Sequence, residues 1–500
     1  MADESDTQQF WGGRMNEPPE MSNVAYCAGR DVTERPMADA VLAPCDLWQN
    51  RAHCAMLARC GIITRETLIR ILRGLDEYER RLADGSITLD PRKEDIHTNI
   101  ERFVASHSGA EHAGQMHTAR SRNDQSATVM RLYVRDRVLS YGLALADLAE
   151  TILRVAAKFR NTPIAGFTHY QPASITTVGH WFASYAQALL RDTGRFVSCF
   201  DRLNVCPLGA GAAFGTSWPI DRSMTAMLMG FRAPQINTLD CVTNRWEMEA
   251  DAASQVSFAM THLSIVSQDL ILLSAPQLGI IEIADRYVTG SSIMPQKRNP
   301  DFAEVTRAKA AVIQNMTASL FAIARGLPSG YNRDTQWTKY LIMDVFDEAA
   351  AAPAIFSGVI ATLRVNEARA ERSAHENCVN AVDLADNLSR QSGLPFRAAY
   401  EIVSQAVKLS GGKSAVDMEI VRKLAADAGV PRVNAQIGEP LKIIAAKKSE
   451  GGPAPQRLAR DLKYMSRSLK KLNKELSERR SLVDLSLEML TRQIRELMAS

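Results

Sequence analysis

This chain of 500 residues has no apolar run of the roughly 18 residues that would cross a bilayer, and its opening, MADESDTQQF, lacks the apolar core of a secretory leader. Both absences predict a cytoplasmic protein without a membrane partner. The eight cysteines (27, 45, 54, 60, 199, 206, 241 and 378) include no C-x-x-C pair and no metal-type spacing. Reduced thiols, and no metal, are expected. Charge of one sign is not in excess either: a net +3 gives no global attraction for nucleic acid or membrane.

Strand alternation is scarce, and helical spacing is not. Apolar residues recur every three or four positions over 44–60, 65–84, 124–160, 176–204, 245–278, 302–325 and 338–363. In 245–274 they lie nearly all round the helix, which predicts a rod buried in a bundle. Rods this long predict a bundle that also packs against other subunits. Prolines 163 and 172 flank one expected loop, 207–219 forms a Gly-rich one, and 279–300 has no helical period. The expected class is all-α: a helical domain over 1–120, a central long-helix bundle over 121–374 holding the loop 286–301, and a C-terminal helical domain over 375–500. The basic run 456–480 reads as the solvated face of an amphipathic tail, with an RNA- or partner-binding arm as the alternative.

Two look-alikes are set aside. Gly209 to Gly215 has the wrong spacing for a dinucleotide fingerprint and no βαβ unit around it. Gly412-Lys413-Ser414 resembles the end of a phosphate loop, but position 407 is Val where Gly is required.

The most informative string is Gly290-Ser-Ser-Ile-Met-Pro-Gln-Lys-Arg-Asn-Pro-Asp301. A flexible start leads through Lys297 and Asn299 into a helix near Asp301, whose first amides and dipole suit an anion. The string closely resembles the signature of the fumarase/aspartase superfamily. Phe10-Trp-Gly-Gly-Arg14 and later segments resemble its argininosuccinate lyase branch, nearly throughout the chain to about residue 457.

The resemblance implies a fumarate-forming carbon–nitrogen lyase without cofactor, working as a homotetramer with four sites shared between subunits. Ser291 would be the catalytic base, on a loop that closes over the substrate. Lys297 would stabilise charge, and Ser292, Met294, Asn299 and Asp301 would touch substrate. Thr118-Ala-Arg-Ser-Arg-Asn-Asp-Gln125 resembles a second conserved region, so Ser121, Arg122 and Asn123 would hold carboxylates. Gly166-Phe-Thr-His-Tyr-Gln171 resembles a third and supplies Thr168 and His169. Glu304, seven residues beyond Lys297, would orient His169. Asp95-Ile-His97 and Tyr331 through Gln336, including Arg333, resemble further substrate-contacting positions.

The chemistry asks for such groups. Taking a proton from the carbon beside a carboxylate makes a dianion that must be stabilised where its charge develops. One lysine at about 4 Å supplies on the order of 4 kcal/mol at an effective dielectric near 20. That is a useful share of the roughly 8–23 kcal/mol that enzymes remove from a barrier. The leaving nitrogen must depart protonated, a task suited to His169.

The sequence departs from the branch on the amine side. Arg333 replaces a Lys, and Arg35 falls where a Ser is usual, with Asp39 keeping an acidic position. The usual Gln-Pro after the histidine reads Ser174-Ile175, and the usual Ser-x-Arg-Asp reads Thr243-Asn-Arg-Trp246. Added arginine favours an amine bearing extra carboxylates, such as that of ethylenediamine-N,N'-disuccinate (EDDS). Argininosuccinate is the alternative. A catalytically silent, crystallin-like structural protein, or a binding protein working through the basic tail, are readings of other classes. Adenylosuccinate lyase and aspartase fit the motifs less well, and fumarase, which shares the base and loop, is a further alternative.

Overall fold

The computed structural model describes residues 17–18, 20–29, 34–412, 415–430, 432–433 and 438–499. The Phe10–Arg14 segment and the Lys413-Ser414 pair lie outside them. Helices dominate: α1 (Ala38–Arg59), α2 (Arg65–Ala83), α3 (Ile96–Ser108), α4 (Arg122–Lys158), α5 (Val178–Leu203), α6 (Arg245–Ser274), α7 (Asp301–Ala324), α8 (Thr338–Ala349), α9 (Ala352–Thr362), α10 (Ala381–Ser392), α11 (Phe396–Leu409), α12 (Met418–Asp427) and α13 (Pro455–Ala499).

The central bundle is built on α4, α5, α6 and α7, whose apolar faces share one buried cluster with α8, α9 and α13. The 37 residues of α4 start at a capping box, in which Ser121 accepts from the Asn123 amide and Asp124 accepts from the Ser121 amide. A second cluster joins α1, α2 and α3, and a third holds α10, α11 and α12 together.

The 45-residue helix α13 packs on the bundle, not on the small domain before it. Its buried Leu462, Leu469, Leu476, Val483 and Leu490 recur every seven residues, the period of a helix seated along others. Gly142 on α4 makes room for this contact: a Cβ there would lie 3.2 Å from Leu476 and 3.0 Å from Phe196. The basic residues face outward as expected, and several are paired, Arg479 with Asp201 at 2.7 Å and Arg480 with Asp136.

Three expectations need correction. The segment with prolines 163 and 172 is an antiparallel hairpin, β1 (Pro163–Thr168) with β2 (Gln171–Thr177). The helix expected over 338–363 breaks at Ala350 and Ala351, and Pro353 sits in the first turn of α9, where its missing N–H costs nothing. And two stretches, Arg245–Ser274 and Arg333–Thr362, are in fact long and apolar enough to cross a membrane by length and composition. The first is α6, a bundle rod that buries Arg245 and Glu249. The second is not one helix, because it spans a short 3-10 turn, α8 and α9.

Buried Cys54, Cys199, Cys206 and Cys241 behave as apolar core residues, and burial pushes the Cys54 thiol up to about 12.

Candidate active site

Six of the candidate residues converge. A cleft of about 130 Å³ is lined by His97, Arg122, Asn123, Tyr331, Arg333 and Gln336, with Asp39, Ser126, Arg245 and Lys339. They come from the starts of α1, α3, α4, α6 and α8 and from the stretch 331–336 before α8.

The start of α4 is held rigidly, and Asp124 is the reason. Its carboxylate accepts from the Ser121 amide (2.9 Å) and from those of Gly209 (2.9 Å) and Gly211 (2.8 Å). The Gly-rich stretch set aside as a nucleotide motif therefore grips a carboxylate of the protein itself. Gly211 has φ +62, and a Cβ there would lie 2.9 Å from the Gly215 carbonyl, so only glycine fits. Burial pushes the Asp124 carboxyl up to about 6, against the pull of those three amides and of Arg120.

Behind the cleft, Asp46 is fully buried. Burial raises its pKa, but the charge and hydrogen bond of His97, the charge of Arg120 and the Gln49 amide outweigh this, so the carboxyl stays below its ordinary value. His97 Nδ1 lies 2.7 Å from the Asp46 carboxylate, and its other ring nitrogen, Nε2, lies 3.1 Å from Ser126 Oγ. Arg122 donates to Glu101 (3.1 Å), Thr98 (3.2 Å) and Gln125 (3.0 Å). Lys339 is paired with Asp39 at 2.6 Å, and the exposed Arg333 reaches Glu94 at 3.5 Å.

The remaining candidates lie elsewhere on the chain. Arg35 does not line the cleft: its guanidinium is taken up by Asp344 and Glu348 of α8. Ser121 serves as the N-cap of α4. Lys297, Asn299 and Glu304 line a separate cavity of about 1080 Å³ between the signature loop and the 274–283 turn. A third cavity, of about 680 Å³, between α13 and α1, α2 and α4, holds none of the candidates.

The signature loop is anchored at its base and open at its tip. Thr289 and Asn299 exchange backbone hydrogen bonds (3.0 and 2.8 Å), and Asn299 Nδ2 donates to the Gly290 carbonyl at 3.0 Å. Arg298 pins the base to Asp285 and to the Ile283 carbonyl. Ser291 Oγ accepts from the Met294 amide at 3.2 Å, while Ser292, Met294 and Lys297 are exposed. Helix α7 starts at Asp301 as expected. Its first turn already carries Asp301 and Glu304, however, so its amide end faces carboxylates of its own chain. The Asp301 carboxylate accepts from Thr289 Oγ1, which fastens the loop base again.

Thr168 and His169 stand exposed at the tip of the β1–β2 hairpin. His169 (φ +52) and Tyr170 (φ +59) form its two-residue turn, both in the left-handed region without being glycine. That conformation costs about 1 kcal/mol or more for each residue, and such strain gathers where a side chain must be presented. His169 and Glu304 make no hydrogen bond to each other within this chain, where the expectation had Glu304 orient His169. Arg245, Ser126 and Lys339 are cleft residues that the motifs did not single out, although the stretch Thr243-Asn-Arg-Trp246 stood out as altered.

Residues 31–315 match the model of the lyase family, and residues 378–433 match that of the argininosuccinate lyase C-terminal domain. The chain belongs to the lyase family of the fumarase/aspartase superfamily. Like this lyase, EDDS lyase in complex with formate has the same fold, at a TM-score of 0.87 and 26% identity over 98% of each chain. An EDDS lyase double variant with bound fumarate gives 0.88 and 25%, again over 98% of each. The class II fumarase of Schistosoma mansoni is similar in fold, with a TM-score of 0.65 and 16% identity over 83% of this lyase and 93% of the fumarase.

Proposed function

We propose that this lyase eliminates fumarate from an N-succinyl amine carrying further carboxylates, EDDS being the type, at sites completed by neighbouring copies of the chain. The observation that carries this is the cleft itself. Residues His97, Arg122, Asn123, Tyr331, Arg333 and Gln336, far apart in sequence, line it together, and the guanidiniums among them suit a carboxylate.

Arg122 and Asn123 bind the succinyl carboxylates. Ser291, held as its alkoxide, takes the proton from the carbon beside one of them and becomes the hydroxyl, and the electron pair moves into that carboxylate as a dianion stabilised by Lys297 and Asn299. Collapse of the dianion breaks the C–N bond and forms fumarate, and His169 delivers a proton to the departing amine. Glu304 orients His169 from another copy.

An assembly is supported by what one chain leaves exposed. The hairpin tip, the signature loop and the cleft are separate places on it. The bundle helices also leave large apolar side chains uncovered, Phe258 (49% exposed) and Ile265 (54%) on α6 and Phe321 (49%) on α7. A homotetramer brings the three regions together and covers those faces.

The match to the argininosuccinate lyase C-terminal domain favours a second reading, argininosuccinate as substrate. Ultraviolet detection of fumarate, with EDDS and argininosuccinate offered in parallel, separates the two. Release from EDDS is the expected result. Release from argininosuccinate alone replaces the first reading with the second, and release from neither removes both.

A further inference from the structure

Among the described residues, one cation of the cleft makes no ion pair within the chain. Arg122, Arg333 and Lys339 each have a carboxylate partner. Arg245 is 6% exposed, its Nε has no hydrogen-bond partner, and among the described residues no carboxylate lies within ion-pair distance of it. A guanidinium taken out of water without a partner is costly, so such a group is usually kept to meet a ligand.

Arg245 is the first residue of the 30-residue helix α6, and Asn244 ahead of it makes no side-chain cap. The next residue is Trp246, which packs edge-on against Phe321 at 5.9 Å and offers no charge. One turn along α6, the buried Glu249 feels both Arg245 and Arg131. Arg131 also feels Asp240 and spends its donors on the Val205 carbonyl (2.8 Å) and the Gln235 side chain (2.7 Å), whereas the Arg245 guanidinium lines the cleft without an ion pair of its own.

We infer that Arg245 is a specificity determinant that receives a carboxylate borne by the amine half of the substrate. A planar carboxylate matches the guanidinium fork, and the polar groups of Tyr331 and Gln336 stand in the same cleft to orient it. The inference rests on the lyase reading above, and it narrows the amine to one with a distal acid group.

The test uses the full-length protein as wild type, Arg245→Gln and Arg245→Lys, offered EDDS and ethylenediamine-N-monosuccinate, which has the same diamine without the distal carboxylates. Fumarate release and calorimetric binding are both read. The wild type prefers the disuccinate, the Gln variant loses about 10–100-fold of that preference, mainly through KM, and the Lys variant recovers part of it. Equal losses on both compounds, or an unchanged preference, overturn the assignment. A wild type that releases fumarate from neither compound, yet binds the disuccinate more tightly through Arg245, removes the lyase reading and keeps the inference. Wild-type binding with no difference between the compounds removes the inference.

Discussion

The cleft and the signature loop are built on opposite plans. In the cleft, candidate side chains sit on helix starts, and their supports are buried: Asp46 holds His97, and Asp124 holds the start of α4 to the Gly-rich loop. In the loop, Ser291 and Lys297 stand on an exposed segment fixed only at its base, by Arg298 and the Thr289–Asn299 bridge. On the proposed function, the contrast separates recognition from chemistry: one chain preforms the surface proposed to hold carboxylates, whereas the proposed base and charge stabiliser stand on a loop that another copy would meet.

Substitutions should therefore divide the two regions cleanly. The largest effect is expected at Ser291→Ala, where turnover falls about 10²–10⁴-fold while the melting temperature stays put. Near-normal turnover would break the comparison by removing the chemistry from the loop. Arg298→Ala frees the loop base from Asp285 and Ile283, so kcat should fall about 10–100-fold, with calorimetric binding to the cleft retained. Loss of binding instead would mean that loop and cleft are one unit.

On the cleft side the readout is stability. Gly211→Ala places a methyl 2.9 Å from the Gly215 carbonyl at φ +62. Thermal or urea unfolding should show a loss of about 1–3 kcal/mol. The smallest effect is a slope. Burial holds the Glu249 carboxyl at about 7, above its ordinary 4.5, against the pull of Arg245 and Arg131 and a hydrogen bond from Thr338. Between those pH values the folded protein binds more protons than the unfolded chain, so this contribution to stability is present below pH 4.5 and is lost as pH rises through 7. Glu249→Gln should flatten that part of the stability–pH curve.

Much of the fold was legible because buried helices advertise themselves by spacing, and α4 to α7 lie within a few residues of the expected bounds. The hairpin was not legible. Its turn is His169-Tyr170, without the Asn-Gly or Gly signal that marks a two-residue turn, and its prolines look like loop residues. Arg35 illustrates the other limit. Its place in the motif pointed to substrate, but its partners Asp344 and Glu348 lie 309 and 313 residues away, beyond any local pattern. The charge state of the cleft is likewise a tertiary property. Only packing reveals that Arg245 lines the cleft with no carboxylate within ion-pair distance among the described residues.

The most direct test of the division between cleft and loop is complementation. Ser291→Ala and Asn123→Ala, each inactive alone, are mixed as unfolded chains, refolded together and assayed for fumarate release from EDDS. If each site takes its cleft from one copy and its loop from another, random tetramers should regain about a quarter of wild-type activity. No recovery from mixed tetramers, with each variant folded and assembled, would place cleft and loop of one site on the same chain and contradict the account.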